Sequence, residues 1–346
     1  MKSVQFHGHG GHDVIAYDEV ADPDPGPDEV TIDVKAAALN HLDVWTRRGM
    51  PGVDLEMPHT PGSDAAGVVV ETGENVERFE RNDRVAVSAG VACGRCEFCR
   101  DGEESMCVRY QIIGEHRPGV HAEYATVPAD NLVPVPEGVD WEVAGSASLV
   151  FQTAWRMLVT RADLQPTDSV LVLGASGGVG HAAVQIADHV ADEVYATASS
   201  EEKLGYAADC GADHVIDYTE QNYADRIREL TGKRGVDVVV DHVAGESWSD
   251  SLASLAKGGK LVTCGATAGG QPHTDVNRIF WNQLSVLGST MATPGEVDDA
   301  LSLVWDGTFE PRVREVVPMS EAARGHEMLE NREGFGKVVL KPDSEL

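Results

Sequence analysis

Apolar positions in the second half of the chain fall into short continuous runs, separated by longer mixed stretches. VLVL at 170–173, EVYAT at 193–197, ADHVIDY at 212–218, VDVVVD at 236–241, KLVTCG at 260–265 and LSVLGS at 284–289 are the runs. Runs this short and this apolar suit strands of a buried parallel sheet, and the spacing between them leaves room for crossover helices. Residues 182–187 (AAVQIA) supply the small apolar side chains of one such helix. The first half reads differently. DPDPGP at 22–27 is a rigid turn, EVTIDVK at 29–35 alternates as a half-buried strand, the glycine-punctuated segment 57–70 leads into another strand, and NDRVAV at 82–87 is a turn followed by a strand. Frequent turns between short strands predict a β-rich domain. Segments 298–305 and 321–329 have the pattern of amphipathic helices, and no internal repeat or low-complexity tract appears.

Between the run at 170–173 and its helix lies GASGGVG, residues 174–180. Strand, glycine turn, helix is the context in which glycines carry meaning: they let the backbone turn tightly and approach a pyrophosphate, whose charge sits at the helix N-terminus. Gly174, Ser176, Gly177, Gly178, Val179 and Gly180 are the candidate contacts, in an A-x-G-x-x-G variant of the dinucleotide fingerprint. A glycine turn without a ligand is the competing reading, and the next strand bears on it. NAD-binding versions place an acid at that strand's end, where it accepts from the adenosine ribose. Here residues 198–203 read ASSEEK. Ser199, Ser200 and Lys203 suit a 2′-phosphate, and hence NADP(H), with NAD(H) as the alternative that Glu201 and Glu202 favour. Ser199-x-x-Glu202 is also a capping box.

Composition sets the scale and the solvent. A chain of 346 residues suits two domains, each with its own core. The formal charge of −30 comes from 57 acids against 27 bases, of which 8 are lysines and 19 arginines. The acids are scattered, so a disordered acidic tail is not implied. A lysine-poor acidic surface resembles that of proteins from salt-accumulating cells, where salt screens the self-repulsion. It argues against nucleic acid or an anionic membrane as partner. With no basic-apolar leader and no apolar run of about 18 residues, a soluble cytoplasmic protein is expected.

Cys93-Gly-Arg-Cys96-Glu-Phe-Cys99, followed by Cys107, places four thiols in one short loop. Four thiolates close a tetrahedral shell around Zn2+ and leave no open position, so a structural zinc is expected; disulfides are the competing use, disfavoured in a reducing compartment. Cys210 and Cys264 read as core residues.

With PGSDAAGVV at 61–69, the cysteine cluster, GASGGVG and GFGKVVL at 334–340 in view, the chain resembles the medium-chain dehydrogenase/reductase superfamily, over nearly its whole length. The resemblance implies an α/β protein: a GroES-like β-rich catalytic domain from residues 1–150 and 290–346, with a zinc lobe near 90–110, and a Rossmann doubly wound parallel sheet from 151–289. It implies a small-molecule substrate between the domains and a homodimer or homotetramer in which the last sheet strand meets its mate.

The resemblance also locates a departure. Where zinc alcohol dehydrogenases carry a metal-binding cysteine, a hydroxyl two residues on and a relay histidine, this chain has Asn40, Leu42 and Trp45. Their second ligand, a histidine, corresponds to Ser63, and their third falls near Leu149. The Lewis acid of those enzymes thus has no obvious ligands, although His41, Asp43 and Asp64 leave an unorthodox site open. What remains is similar to the zinc-independent quinone oxidoreductases, which share Asn40-x-x-Asp43 and PG-x-D. The implied activity is NADPH-dependent hydride transfer to a quinone or α,β-unsaturated carbonyl. Asn40, Asp43 and Trp45 are then the expected catalytic set, with Asn40 offering its amide to the developing enolate oxygen and Trp45 walling the pocket. His41 matches a pyrophosphate contact, Tyr218 an adenine contact, and His242 and Gly265 stand at strand ends expected near the cofactor. A zinc-dependent alcohol or polyol dehydrogenase and a non-catalytic NADPH-binding protein are the alternatives.

Overall fold

The computed structural model describes residues 1–332 and 334–346. Two compact units emerge, Met1–Leu149 with Thr293–Leu346, and Val150–Ala292.

In the second unit the apolar runs form a six-stranded, all-parallel sheet. Its order is His214–Asp217, Glu193–Ala198, Ser169–Val172, Val236–Val240, Leu255–Thr263, Ser285–Gly288. The chain winds outward from Ser169–Val172 in one direction and resumes at Val236–Val240 in the other. A topological switch point therefore lies between these two central strands, and open parallel sheets bind ligands beyond the strand C-termini at such a point. Leu171, Tyr195, Ile216, Val239 and Leu261 belong to one core with Ile227, Trp248 and Leu252 from the helices. Leu255–Thr263 starts five residues before its apolar run, with a register irregularity between Val236 and Val238.

The first unit is built on a seven-stranded, mainly antiparallel sheet. Glu29–Ala38 pairs with Asp64–Thr72, Tyr124–Pro128 and Lys337–Lys341; Arg84–Val87 and Leu132–Pro134 extend one side and Val313–Pro318 the other. Ala36, Ala37 and Ala38 are wholly buried, and small side chains there carry the strand three residues past its alternating stretch. The expected amphipathic helices are Pro294–Trp305 and Ala322–Glu330, the first held by a reciprocal Thr293–Glu296 cap. Helices not foreseen include His41–Arg48, the short Glu97–Arg100 in the cysteine loop, and Trp141–Trp155, which passes into a π-helical turn at Arg156–Arg161. Among the described residues no helix is long and apolar enough to cross a membrane.

Candidate functional site

The glycine turn sits at the C-terminal end of Ser169–Val172, beside the switch point. Gly174 has φ 59°, and its N–H donates to Thr197 Oγ1 at 3.4 Å, while Ala175 N–H donates to Thr197 O at 3.1 Å. The turn is thus tied to the neighbouring strand. Gly177 caps the helix Gly178–Val190. A Cβ on Gly180 would stand 2.1 Å from Gly174 O, so only glycine lets the helix start this close to the strand end. Ser176, Gly178 and Val179 are half-buried around it. The backbone N–H groups at this helix start form an anion-binding geometry.

The end of Glu193–Ala198 corrects one detail. The helix that follows, Glu201–Asp209, is capped by Ser200, whose Oγ accepts Lys203 N–H at 3.4 Å. The cap lies one residue later than the Ser199-x-x-Glu202 reading, so Lys203, not Glu202, occupies the third helical position. Ser199 and Ser200 are half-buried, Glu201 and Glu202 exposed. Tyr218 N–H donates to Ala198 O at 3.2 Å, which brings the 45%-exposed Tyr218 beside Ser199. His242 lies on the far side of the turn: a Cβ on Gly174 would be 3.2 Å from its Nε2. Gly265 follows Thr263, whose hydroxyl donates to Gly265 O at 3.0 Å, and burial pushes the intervening Cys264 thiol up to about 12.

In the β-rich unit a second cluster surrounds the helix His41–Arg48. Asn40 N–H donates to Asp43 Oδ2 at 2.7 Å and Asp43 N–H to Asn40 O at 3.0 Å, closing the helix start from both sides. At the other end Arg47 and Arg48 reach Glu330 Oε1 at 2.7 and 2.5 Å, which fastens this helix to Ala322–Glu330. Lys337 arrives from the last strand. Its Nζ donates to Asn40 Oδ1 at 2.6 Å and to Asp64 Oδ2 at 3.2 Å. Asn40 Nδ2 donates to the same Asp64 oxygen at 3.2 Å and to Ala38 O at 3.4 Å; Asp64 Oδ1 accepts Leu149 N–H at 3.0 Å. Asn40, Asp43, Asp64 and Lys337 are all buried.

Charge decides how this cluster is populated. Two buried carboxylates share one buried ammonium, and an unpaired charge in such a place is costly. Burial raises the Asp43 carboxyl to about 7, against the opposing effect of the Asn40 N–H and Lys337, and Asp64 adds to the rise. Among the described residues Asp43 Oδ1 has no hydrogen bond of ordinary geometry, although the Gly62 N–H also works against the rise. A proton on Asp43 makes the trio Asp43, Asp64 and Lys337 neutral.

This geometry corrects the expected role of Asn40. Both of its amide hydrogens are taken up inside the protein, because Lys337 fixes its carbonyl oxygen and turns Nδ2 toward Asp64 and Ala38. It is not arranged as a donor to an enolate. Asp43 likewise faces inward. His41 is exposed on the first turn, with the half-buried Trp45 ring 6.2 Å away at 55°. Surrounding protein, then the cations of Arg332 and Lys337, hold the His41 imidazole below its ordinary pKa. Ser63 is fully buried and donates to Ile113 O at 2.7 Å. Lys337 itself was missed. The available signal was a lysine opening an apolar strand, KVVL, in a chain with only 8 lysines.

Cys93, Cys96, Cys99 and Cys107 bring their sulfurs within 4.8 Å of one another. Zn–S bonds of about 2.3 Å in a tetrahedron need sulfurs roughly 3.8 Å apart, so the quartet fits one zinc ion. Cys93 N–H and Arg109 N–H point at Cys107 Sγ, both at 3.3 Å, and backbone N–H donation lowers the Cys93 and Cys96 thiol pKa values. Among the described residues no other His, Cys, Asp or Glu group gathers three donor atoms for a metal; His41, Asp43 and Asp64 do not.

Known proteins match this arrangement along the chain. The alcohol dehydrogenase GroES-like domain matches residues 26–137, and the zinc-binding dehydrogenase family matches 178–306. An acryloyl-coenzyme A reductase of Metallosphaera sedula is 33% identical over 342 residues, 98% of this chain and 99% of that protein. A quinone oxidoreductase of Pseudomonas aeruginosa is 31% identical over 355 residues, 99% of each. The crystal structure of an NAD-dependent alcohol dehydrogenase superposes with a TM-score of 0.95 at 43% identity, covering 99% of both chains. With a GroES-like domain, a parallel nucleotide-type sheet and relatives of this kind across its whole length, the chain is an oxidoreductase and belongs to the medium-chain dehydrogenase/reductase superfamily.

Proposed function

We propose that this chain is an NADPH-dependent reductase that transfers hydride to a quinone or an α,β-unsaturated carbonyl without a catalytic zinc. The observation that carries this reading is the closed network around Lys337. The first two positions matching the zinc ligands of alcohol dehydrogenases are Asn40 and Ser63, and the third falls near Leu149, whose side chain is apolar; Asn40 is bonded into the Lys337–Asp64 cluster, and Ser63 is bonded to Ile113. None of the three is a metal donor held open toward a ligand. Reduction of a conjugated double bond needs no Lewis acid; it needs an oriented hydride source and an acceptor in a dry pocket. The relatives named acryloyl-coenzyme A reductase and quinone oxidoreductase are consistent with that substrate class.

Bound at the glycine turn, the nicotinamide cofactor would supply the hydride. The chain's own part is positioning. The N–H groups of 174–180 hold the pyrophosphate, Ser199, Ser200 and Lys203 receive the 2′-phosphate, and Tyr218 faces the adenine end. Asn40 and Asp43 act as positioning residues: they fix the start of the helix that carries His41 and Trp45 at its surface. The cysteine quartet would hold a structural zinc that ties its loop together. Phe280, Trp281 and Val286, 62, 75 and 42% exposed near the sheet-edge strand Ser285–Gly288, support pairing with a second copy there.

The test is turnover of a quinone and enone panel with NADPH and NADH side by side, on protein with metal content measured. NADPH-dependent enone or quinone reduction with one zinc per chain is the expected result. Metal-dependent alcohol oxidation that needs a second zinc would overturn it and favour the alcohol dehydrogenase reading.

A further inference from the structure

The strand Val236–Val240 ends at the switch point in a segment whose backbone is under strain. Ala244 has φ 54° and ψ −141°, a conformation that glycine adopts freely and residues with a Cβ rarely adopt. It is buried and is held there by Asp241. The Asp241 carboxylate is fully buried; one oxygen accepts Val243 N–H at 2.9 Å and Ala244 N–H at 2.8 Å, and the other accepts Ser251 Oγ–H at 2.8 Å. A second set of bonds fastens the segment to the loop after the next strand. Ala268 N–H donates to Val243 O at 2.8 Å, and Gly245 N–H to Gly269 O at 3.0 Å. The outer face of the segment meets the glycine turn: a Cβ on Gly174 would stand 3.2 Å from His242 Nε2 and 3.4 Å from Val243 Cγ2.

Strain of this kind persists only where the surroundings over-determine it, and here they do so beside the crevice where an open parallel sheet binds its ligand. We propose that Asp241 is a positioning residue that holds the strained segment 242–245 closed against the phosphate turn before the dinucleotide arrives, so that the cofactor meets a preset wall. The inference rests on dinucleotide binding at residues 174–180. A preset wall spares the ordering that binding would otherwise have to drive, and it does so at the expense of fold stability.

Ala244→Gly separates the two effects, since glycine relieves the strain and loosens the segment. The variant is expected to melt at the same temperature as the wild type or higher. Its Kd for NADPH should nevertheless rise about three- to tenfold, and its Kd for NADH by the same factor, because the segment lies away from the 2′-phosphate turn. Asp241→Asn keeps an acceptor oxygen for both backbone N–H groups and should bind within about twofold of wild type; Asp241→Ala should weaken binding as Ala244→Gly does. Nucleotide titration followed by fluorescence, with thermal melts alongside, gives both dissociation constants and the melting temperature for all four proteins. Unchanged binding in Ala244→Gly, or binding and stability falling together in it, overturns the proposal. So does an Asp241→Asn variant as weak as Asp241→Ala. A wild-type chain that binds neither dinucleotide overturns the cofactor reading and this proposal with it; a wild type that binds beside an equally tight Ala244→Gly overturns the preset wall alone.

Discussion

The Lys337 ammonium stands 2.6 Å from the side-chain oxygen of Asn40, 297 residues away in the chain, and both are buried in the β-rich unit. Lys337 also serves Asp64, which is wholly buried. Removing one partner of a buried pair leaves the other uncompensated, at a cost of about 3–5 kcal/mol. Lys337→Met is therefore expected to lower stability by about that much in denaturant unfolding. Lys337→Met combined with Asp64→Asn should recover a large part of the loss, because no buried charge is then left alone. A double variant as unstable as the sum of the singles would show that Lys337 acts by packing alone.

Asp43 gives that cluster a pH dependence of definite sign. Its carboxyl is raised in the folded protein to about 7, from an ordinary 3.8, with burial as the main cause. Between those values the folded state holds a proton that the unfolded chain has released. The contribution of Asp43 to stability is thus complete below about pH 4 and is lost as pH rises toward 7. Asp43→Asn keeps an acceptor for the Asn40 N–H and carries no charge. Relative to wild type it should be more stable at pH 8 than at pH 5. Unfolding both proteins at the two pH values checks this, and parallel curves would contradict it.

The formal charge of −30 makes a different prediction, about salt. At an ionic strength near 0.1 M the screening length is about 10 Å, long enough for scattered surface carboxylates to repel one another. Several of the ion pairs are surface pairs, such as Arg226–Glu229 at 3.0 Å, and contribute little. A protein adapted to multimolar salt should therefore show a Tm that climbs steeply from dilute buffer to concentrated potassium chloride. A flat dependence would speak against a salt-accumulating source.

What was legible from the amino-acid sequence follows from how far each signal reaches along the chain. Strands of the parallel sheet are buried on both faces, so their apolar runs announce them: Val170, Leu171 and Val172 are all fully buried. The glycine turn was legible because Gly180 meets Gly174 only six positions back. The helix His41–Arg48 was not, since its buried residues include Asp43, Thr46 and Arg47, which give no apolar stripe. The role of Asn40 was misread for a related reason. Its amide is governed by Lys337 and Asp64, and no local pattern reports partners 297 and 24 residues away. The capping residue before Glu201–Asp209 was misplaced by one because two serines stand in succession and either fits a short capping motif.

That one-residue shift bears on cofactor choice. A 2′-phosphate carries about −1.5 to −2 charges and three acceptor oxygens, so it needs donors at the end of Glu193–Ala198. With Ser200 as the cap, its oxygen accepts the Lys203 N–H, and its hydroxyl hydrogen would be available to a phosphate oxygen. Lys203 stands in the first helical turn, at the end of the strand where a 2′-phosphate would lie. It is also the only lysine between Lys35 and Lys233. Hydrogen bonds to charged groups are each worth about 1.5–3 kcal/mol. Lys203→Ala is therefore expected to raise the Kd for NADPH by about ten- to a hundredfold and to leave NADH nearly unchanged. High salt should pull the effect toward the lower figure. The exposed Glu201 and Glu202 work in the opposite direction, repelling the phosphate and offering acceptors to a ribose diol. Titrating both dinucleotides into wild type and Lys203→Ala in one buffer decides between them. Equal losses for the two cofactors, or a wild-type preference for NADH, would mean that this turn caps a helix and does not select a phosphate.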